Sequence, residues 1–223
     1  MHKLKLFLIL LFMSGPFMLK AQDNELKVGL RAGHNTVFGG FGAIALETTQ
    51  TFCSDFSVSG GIQYNTIGKT ALEARPAYKI PLKWGQISVE SLLTYTNLSS
   101  INSFTAGAGA MLSSRHFSAR LGYYYRIYGS QAGWISEPFN IYYDARVHFL
   151  KKIENWDLDL IITNCEMFEL ERHYQPSFIT ECCFYPKSKL GISLGIGCKP
   201  SGMFNLSADY YQSYLKTGLC YRW

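Results

Sequence analysis

The sequence predicts an all-β protein, a transmembrane antiparallel up-and-down β-barrel of about twelve strands that follows a cleaved signal peptide. Three observations predict it. Apolar and polar residues alternate with period two from Leu26 to Trp223, the chain opens on a basic and then apolar stretch, and it carries 17% charged and 15% aromatic residues, where soluble domains average about 25% charged.

The opening Met1-His2-Lys3-Leu4-Lys5 leads into the apolar run Leu6 to Met13, then Ser14-Gly15-Pro16 and Leu19-Lys20-Ala21-Gln22. A basic start, a short greasy middle and a small residue at the cut are the parts of a secretory signal peptide, expected over residues 1–21. A spanning helix, the rival reading, needs roughly 20 apolar residues, and this run is broken at Gly15-Pro16. Residues 22–223 then form one domain, with no repeat, linker or low-complexity tract.

Cleavage removes Lys3, Lys5 and Lys20, so 21 bases become 18 against 16 acids. The basicity belongs mostly to the signal, and a nucleic-acid partner, which needs bases clustered on one face, is not expected. No second apolar run approaches spanning length. A membrane location therefore requires strands, and only a closed barrel spares strand edges from leaving backbone groups unpaired in hydrocarbon.

The alternation is cleanest where Phe117, Ala119, Leu121, Tyr123, Tyr125 and Ile127 oppose Ser118, Arg120, Gly122, Tyr124, Arg126 and Tyr128, giving an apolar and a polar face. Turn-like clusters divide the chain into strands near 26–33, 41–51, 56–65, 71–80, 85–97, 102–113, 116–128, 138–150, 156–165, 175–185, 189–198 and 204–223. The first half of the last segment, around Asp209-Tyr210-Tyr211, is expected to project beyond the membrane or to fold back as a loop. Odd-numbered links (34–40, 66–70, 98–101, 129–137, 166–174, 199–203) are longer than even-numbered ones, the asymmetry expected of surface loops against periplasmic turns.

Period alone does not say which face is outside, because a soluble sandwich alternates likewise. The polar faces collect Lys27, Arg31, Glu47, Glu73, Arg75, Lys79, Glu90, Arg120, Arg126, Asp144, Arg146, His148, Asp157, Asp159, Glu181, Lys216 and Arg222 among many glycines. Glycine weakens an exposed strand, but inside a narrow barrel it makes room for a long neighbour, so these charges are expected to line the lumen.

With its signal segment, amphipathic strands, link asymmetry and last strand Leu215, Thr217, Leu219, Tyr221, Trp223, the whole mature region resembles Gram-negative outer-membrane β-barrel proteins. The resemblance implies a cell outer-membrane location, a lipid-facing exterior, and recognition of the terminal strand at Tyr221 and Trp223 by the barrel assembly machinery. Trp223 stands where phenylalanine is commoner in that family.

If the 81–84 turn pairs residues summing to about 165, Arg75 faces Glu90. Similar turns bring Arg120, Arg146, Asp159 and Glu181 to one height, as a brace across the lumen or a constriction selecting a polar solute. His148 and Asp157 approach one another, with no serine or cysteine placed as a nucleophile. His34, Glu169, Glu171, His173 and Asp209 sit on loops that could converge on a site, though solvated loop charges are the plainer reading. Among six cysteines only Cys165 and Cys198 could be joined by loop movement; Cys183 and Cys220 point inward about two strand spacings apart, beyond disulfide reach. Tyr123, Tyr125, Tyr143, Tyr210, Tyr221 and Trp223 are candidates for interfacial girdles. No cofactor or metal is expected.

Twelve strands spaced about 4.8 Å and tilted about 40° enclose a backbone cylinder of roughly 12 Å radius, much of it used by long side chains. The expected function is a narrow channel or transport-type barrel of unknown solute. The alternative is a non-conducting barrel with a structural, adhesion or secretion-accessory role, and an enzyme is not expected.

Overall fold

The computed structural model describes residues 24–36, 39–98, 101–130, 133–149, 155–166, 169–170, 176–185, 189–200 and 212–223. The expected signal segment lies outside them, as do Glu171, His173, Asp209 and Tyr210. No helix among the described residues is long and apolar enough to cross a membrane; the crossing is made by strands.

The strands are β1 (Glu25–Asn35), β2 (Gly39–Cys53), β3 (Phe56–Asn65), β4 (Lys69–Leu82), β5 (Gly85–Leu98), β6 (Ile101–Ser114), β7 (Phe117–Ser130), β8 (Gly133–His148), β9 (Trp156–Thr163), β10 (Cys165–Glu166), β11 (Glu169–Leu170), β12 (Ser177–Phe184), β13 (Leu190–Lys199) and β14 (Gln212–Arg222). Twelve of them close into an antiparallel barrel in the order β1-β14-β13-β12-β9-β8-β7-β6-β5-β4-β3-β2, and β10 pairs only with β11. Closure runs the length of β1, from Glu25 opposite Arg222 to Asn35 opposite Gln212. It is sealed beyond the strands by Asn24 and Trp223, whose backbone N–H groups each donate to the other's carbonyl, at 3.3 and 3.1 Å.

The faces sort as the alternation predicts. Leu30, Ile44, Leu121, Leu194, Ile196 and Leu215 point outward and stay half or more exposed, while Arg31, Glu73, Arg75, Glu90, Arg126 and Asp144 point inward and are buried. An apolar exterior around a charged interior inverts a soluble protein and suits a bilayer, where hydrocarbon is the outer solvent. Aromatics gather on the outer face at the end that carries the termini: Phe52 near Phe56 (ring centroids 5.9 Å), Trp156 near Phe184 (4.4 Å), and Tyr221 near Trp223 (5.7 Å). Tyr221 and Trp223 thus stand in this belt, whereas Tyr123 lies mid-strand, opposite Ala108 and Ile141, and is not an interfacial residue.

Inward glycines seat inward tyrosines. A methyl group at Gly122 would come within 2.3 Å of Tyr142 Cζ, one at Gly197 within 2.1 Å of Tyr214 Cζ, and one at Gly191 within 2.4 Å of Tyr185 Cδ1. The glycine is the space that the ring occupies, so the lumen packs from the wall inward.

Several sequence expectations are corrected. β8 begins at Gly133, not near 138. The register shifts between Tyr124–Asn140 and Arg126–Glu137, so residues 138 and 139 together oppose Tyr125; a proline that cannot donate to the ladder is accommodated at a bulge. The last strand starts at Gln212, and the links expected at 34–40 and 129–137 shrink because the strands run on. Asymmetry persists in the two stretches 164–176 and 200–211 between barrel strands. The 81–84 turn is tighter than assumed: Leu82 pairs with Gly85, placing Ala77 opposite Glu90 and breaking the expected Arg75–Glu90 pairing.

Two outcomes follow. Gly197→Val forces Tyr214 from its seat and should destabilise the refolded barrel by about 1–3 kcal/mol in urea titration, whereas Gly40→Ala, with nothing within 4 Å, should be neutral. Cysteine at Thr66, at the end away from the termini, should react with an impermeant maleimide on intact cells, and cysteine at Lys83 should not, both in a Cys53→Ser background; reversed labelling would invert the orientation.

Candidate functional site: the charged lumen

The inward face holds its charges in three groups. The first runs along β1, β12 and β14. Lys27 Nζ lies 2.5 Å from Glu181 Oε1, and Lys216 Nζ lies 3.0 Å from Glu181 Oε2 and 3.3 Å from Glu166 Oε1. Arg31 also pairs with Glu166, its guanidinium 3.7 Å from the centre of the Tyr214 ring, and the Tyr214 hydroxyl donates to Glu166 at 2.6 Å. Acids and bases alternate through this group, so each buried charge has an opposite neighbour, the condition on which buried ions are tolerated.

The second group spans β4 to β8. Arg75 donates to Glu73, and Arg120 Nε lies 2.7 Å from Glu90 Oε1, which also accepts from the Tyr142 hydroxyl at 3.4 Å. Arg126 donates to Thr105 and Tyr128. Leu92, Tyr124, Tyr142 and Cys165 pack into a buried cluster beside these charges.

The third group forms the mouth near the termini. His148 Nδ1 lies 2.6 Å from Asp159, and Arg146 reaches Asp159 at 3.6 Å and Asp144 at 3.9 Å. Arg222 lies 3.8 Å from Glu25 and 3.9 Å from Asp157, stacked 3.6 Å over Tyr185. Tyr185, in the link after β12, donates to Glu25 at 3.0 Å; burial, then the Glu25 carboxylate, push its phenol above the usual range, keeping that donor protonated.

The ninth strand was expected to run to 165, with a surface link from 166, but β9 ends at Thr163. The segment after it enters the barrel: Cys165 is buried, its carbonyl accepts from Arg75 on the opposite wall at 3.0 Å, and Glu166 reaches Arg31 and Lys216. A signal for this was present in the chain. Were β9 to continue past Thr163, Glu166 would face lipid, where a carboxylate is costly, so the strand must leave the sheet before it. Tyr214 was missed likewise, though an inward tyrosine opposite Gly197 marks a filled lumen.

The expected belt is also corrected. Arg120 stands opposite Asp144, and Arg146 opposite Ile161. Of the four belt residues only Arg146 and Asp159 pair; Arg120 goes to Glu90 and Glu181 to the two lysines. The cause is the register, which sets the two acids Asp159 and Glu181 directly side by side, so each turns to bases on its other flank. His148 pairs with Asp159 rather than Asp157 for the same reason. Lys79 pairs across from Ser88. All six cysteines, Cys165 and Cys198 included, are free thiols.

Cavities lie between these groups. One of about 340 Å³ reaches from Lys27 and Glu47 to Arg31, Arg75 and Glu166. Another, about 330 Å³, opens toward the termini between His148, Asp157, Tyr185 and Arg222.

A closed wall with an apolar exterior and charged interior makes this an outer-membrane-type β-barrel, and solved structures of that class share the fold. The KdgM porin aligns over 87% of this chain and 98% of its own at 12% identity and TM-score 0.55. The NanC porin aligns over 87% and 98% at 10% identity and TM-score 0.56, and the translocator domain of autotransporter NalP from Neisseria meningitidis over 100% and 96% at 9% identity and TM-score 0.56. No protein-family model and no curated protein matches the chain. The chain therefore has the outer-membrane β-barrel fold.

Removing one partner of a buried pair leaves the other charge uncompensated. Arg120→Ala removes the ion-pair partner of Glu90, which is 4% exposed and keeps only the Tyr142 hydroxyl at hydrogen-bond distance, and should cost about 3 kcal/mol in denaturant titration. Arg222→Ala, at a 49% exposed side chain, should stay within about 1 kcal/mol.

Proposed function

We propose that the protein is a narrow outer-membrane channel for small polar solutes, constricted from within by the Cys165–Glu166 segment. The observation that carries this reading is that two polar cavities adjoin inside the wall: Lys27, Glu47, Thr49, Arg146 and Glu181 line both, between the mouth near the termini and the level of Glu166. Ions would cross this path beside fixed charges of both signs, so the channel would carry little overall charge preference. Outer-membrane lipid solvates the exterior, the barrel assembly machinery reads the Tyr221–Trp223 end, and no catalytic step is part of the reading.

The buried Leu92, Tyr124, Tyr142 and Cys165 cluster favours a second reading, a non-conducting barrel whose filled half braces the wall. Planar-bilayer recording on refolded protein separates the two. A channel gives small discrete currents that rise when Glu166→Ala releases the inner segment from Arg31, Tyr214 and Lys216. Zero current from both proteins, with the melting temperature of Glu166→Ala reduced, would sink the channel and leave the brace.

A further inference from the structure

The Glu166 carboxylate is held by groups that belong to the wall and not to its own segment. Arg31 on β1 and Lys216 on β14 are direct cross-strand partners, a placement of like charges that destabilises a sheet and that a shared anion relieves. Glu166 supplies that anion: Arg31 pairs with it, Lys216 Nζ lies 3.3 Å away, and the Tyr214 hydroxyl donates to it at 2.6 Å. Arg31 is fixed in its turn by stacking 3.7 Å over the Tyr214 ring. The wall thus builds a carboxylate cradle by itself, whereas Glu166 sits on β10, whose ladder pairs with β11 alone. The cradle also borders open space, since Arg31, Lys216 and Glu166 line the cavity of about 340 Å³.

We propose that Arg31, Tyr214 and Lys216 form a binding site for the carboxylate of a solute, and that Glu166 is the ligand the chain keeps there until a solute carboxylate displaces it. The proposal deepens the channel reading and rests on it for the solute's way in. Displacement leaves the charge balance as it was. Lys216 is shared with Glu181 at 3.0 Å, Glu181 also meets Lys27 at 2.5 Å, and Lys27 stands opposite Glu47, so three bases face three carboxylates before and after the exchange. An incoming carboxylate has Glu47 and Glu181 as neighbours, the same two that Glu166 already has. A cation would face the donors of the cradle, and a neutral solute would leave Arg31 and Lys216 side by side without their anion. Released Glu166 turns to the water of the cavity. The segment then loses its anchor on the β1–β14 side, and Cys165, 2% exposed while Glu166 is held, opens to small reagents.

Cys165 reports the exchange without requiring transport. The full refolded chain is treated with iodoacetamide, a neutral reagent, and alkylation of Cys165 is followed by peptide mass spectrometry in sodium acetate and in sodium chloride of equal ionic strength. A tethered carboxylate competes at an effective concentration of roughly millimolar or more, so acetate is titrated well above that range. Acetate should accelerate the reaction saturably, and chloride should not. Glu166→Ala should react fast in either salt. Because that change deletes a methylene and a carboxylate, the shape of acetate, acetate should also raise the melting temperature of the variant, with half-saturation about tenfold weaker once Arg31→Gln is added, the loss of one charged hydrogen bond. Heat-modifiable gel migration checks that the variants fold, and the wild-type measurement stands without them. Equal wild-type rates in the two salts, a folded Glu166→Ala variant as slow as wild type, no melting shift, or a shift that Arg31→Gln leaves unchanged would overturn the proposal. Bilayer currents tell its failure from that of the channel: acceleration by acetate without current sinks the channel and keeps the site, and current without acceleration sinks the site and keeps the channel.

Discussion

The pairing of β1 with β14 is the constraint on which the rest depends. A strand in hydrocarbon with an unpaired edge would expose a row of backbone donors and acceptors at several kcal/mol each. Eleven consecutive Cα partners from Glu25–Arg222 to Asn35–Gln212 remove that edge, and the Asn24–Trp223 bonds extend the seam past the strands. Once the sheet closes, every side chain must point either to lipid or to a lumen too narrow to leave empty, and period two in the sequence becomes a sorting between two solvents.

The lumen then inherits a problem that soluble cores avoid, since its polar face has to be packed. Aromatic rings do this by lying on glycines, as Tyr142 does on Gly109 and Gly122, and charges do it by alternating sign. Where alternation fails locally, the network reroutes. Asp159 and Glu181 stand as direct neighbours, and each is neutralised from the far side, by His148 and Arg146 or by Lys27 and Lys216. The wall register and the salt bridges are therefore one design, because the register decides which charges stand side by side and which must reach further for a partner.

This explains what was legible in the sequence. Strand number and facing were, because lipid and lumen impose opposite demands on adjacent residues, as the exposed Leu30, Leu121 and Leu194 and the buried Arg31, Glu73 and Glu90 show. Pairing across strands was not, because it depends on turn length: one tight turn at Lys83-Trp84 moved Glu90 two residues away from Arg75. Nor was the re-entrant Cys165–Glu166 segment read correctly. Its signal is negative, a carboxylate where continued alternation demands a lipid-facing residue, and is visible only once the faces of β9 are assigned.

The inner segment also shapes the interior of the barrel. Arg75 holds the Cys165 carbonyl from one wall, while Arg31 and Lys216 hold the Glu166 carboxylate from another. These contacts fasten the segment across the lumen rather than along one side. On the β5–β8 side it completes a buried cluster with Leu92, Tyr124 and Tyr142. On the β1–β14 side it presents a carboxylate to the cavity. One short excursion from the sheet thus adds a buried thiol to an apolar cluster and a carboxylate to a polar cavity.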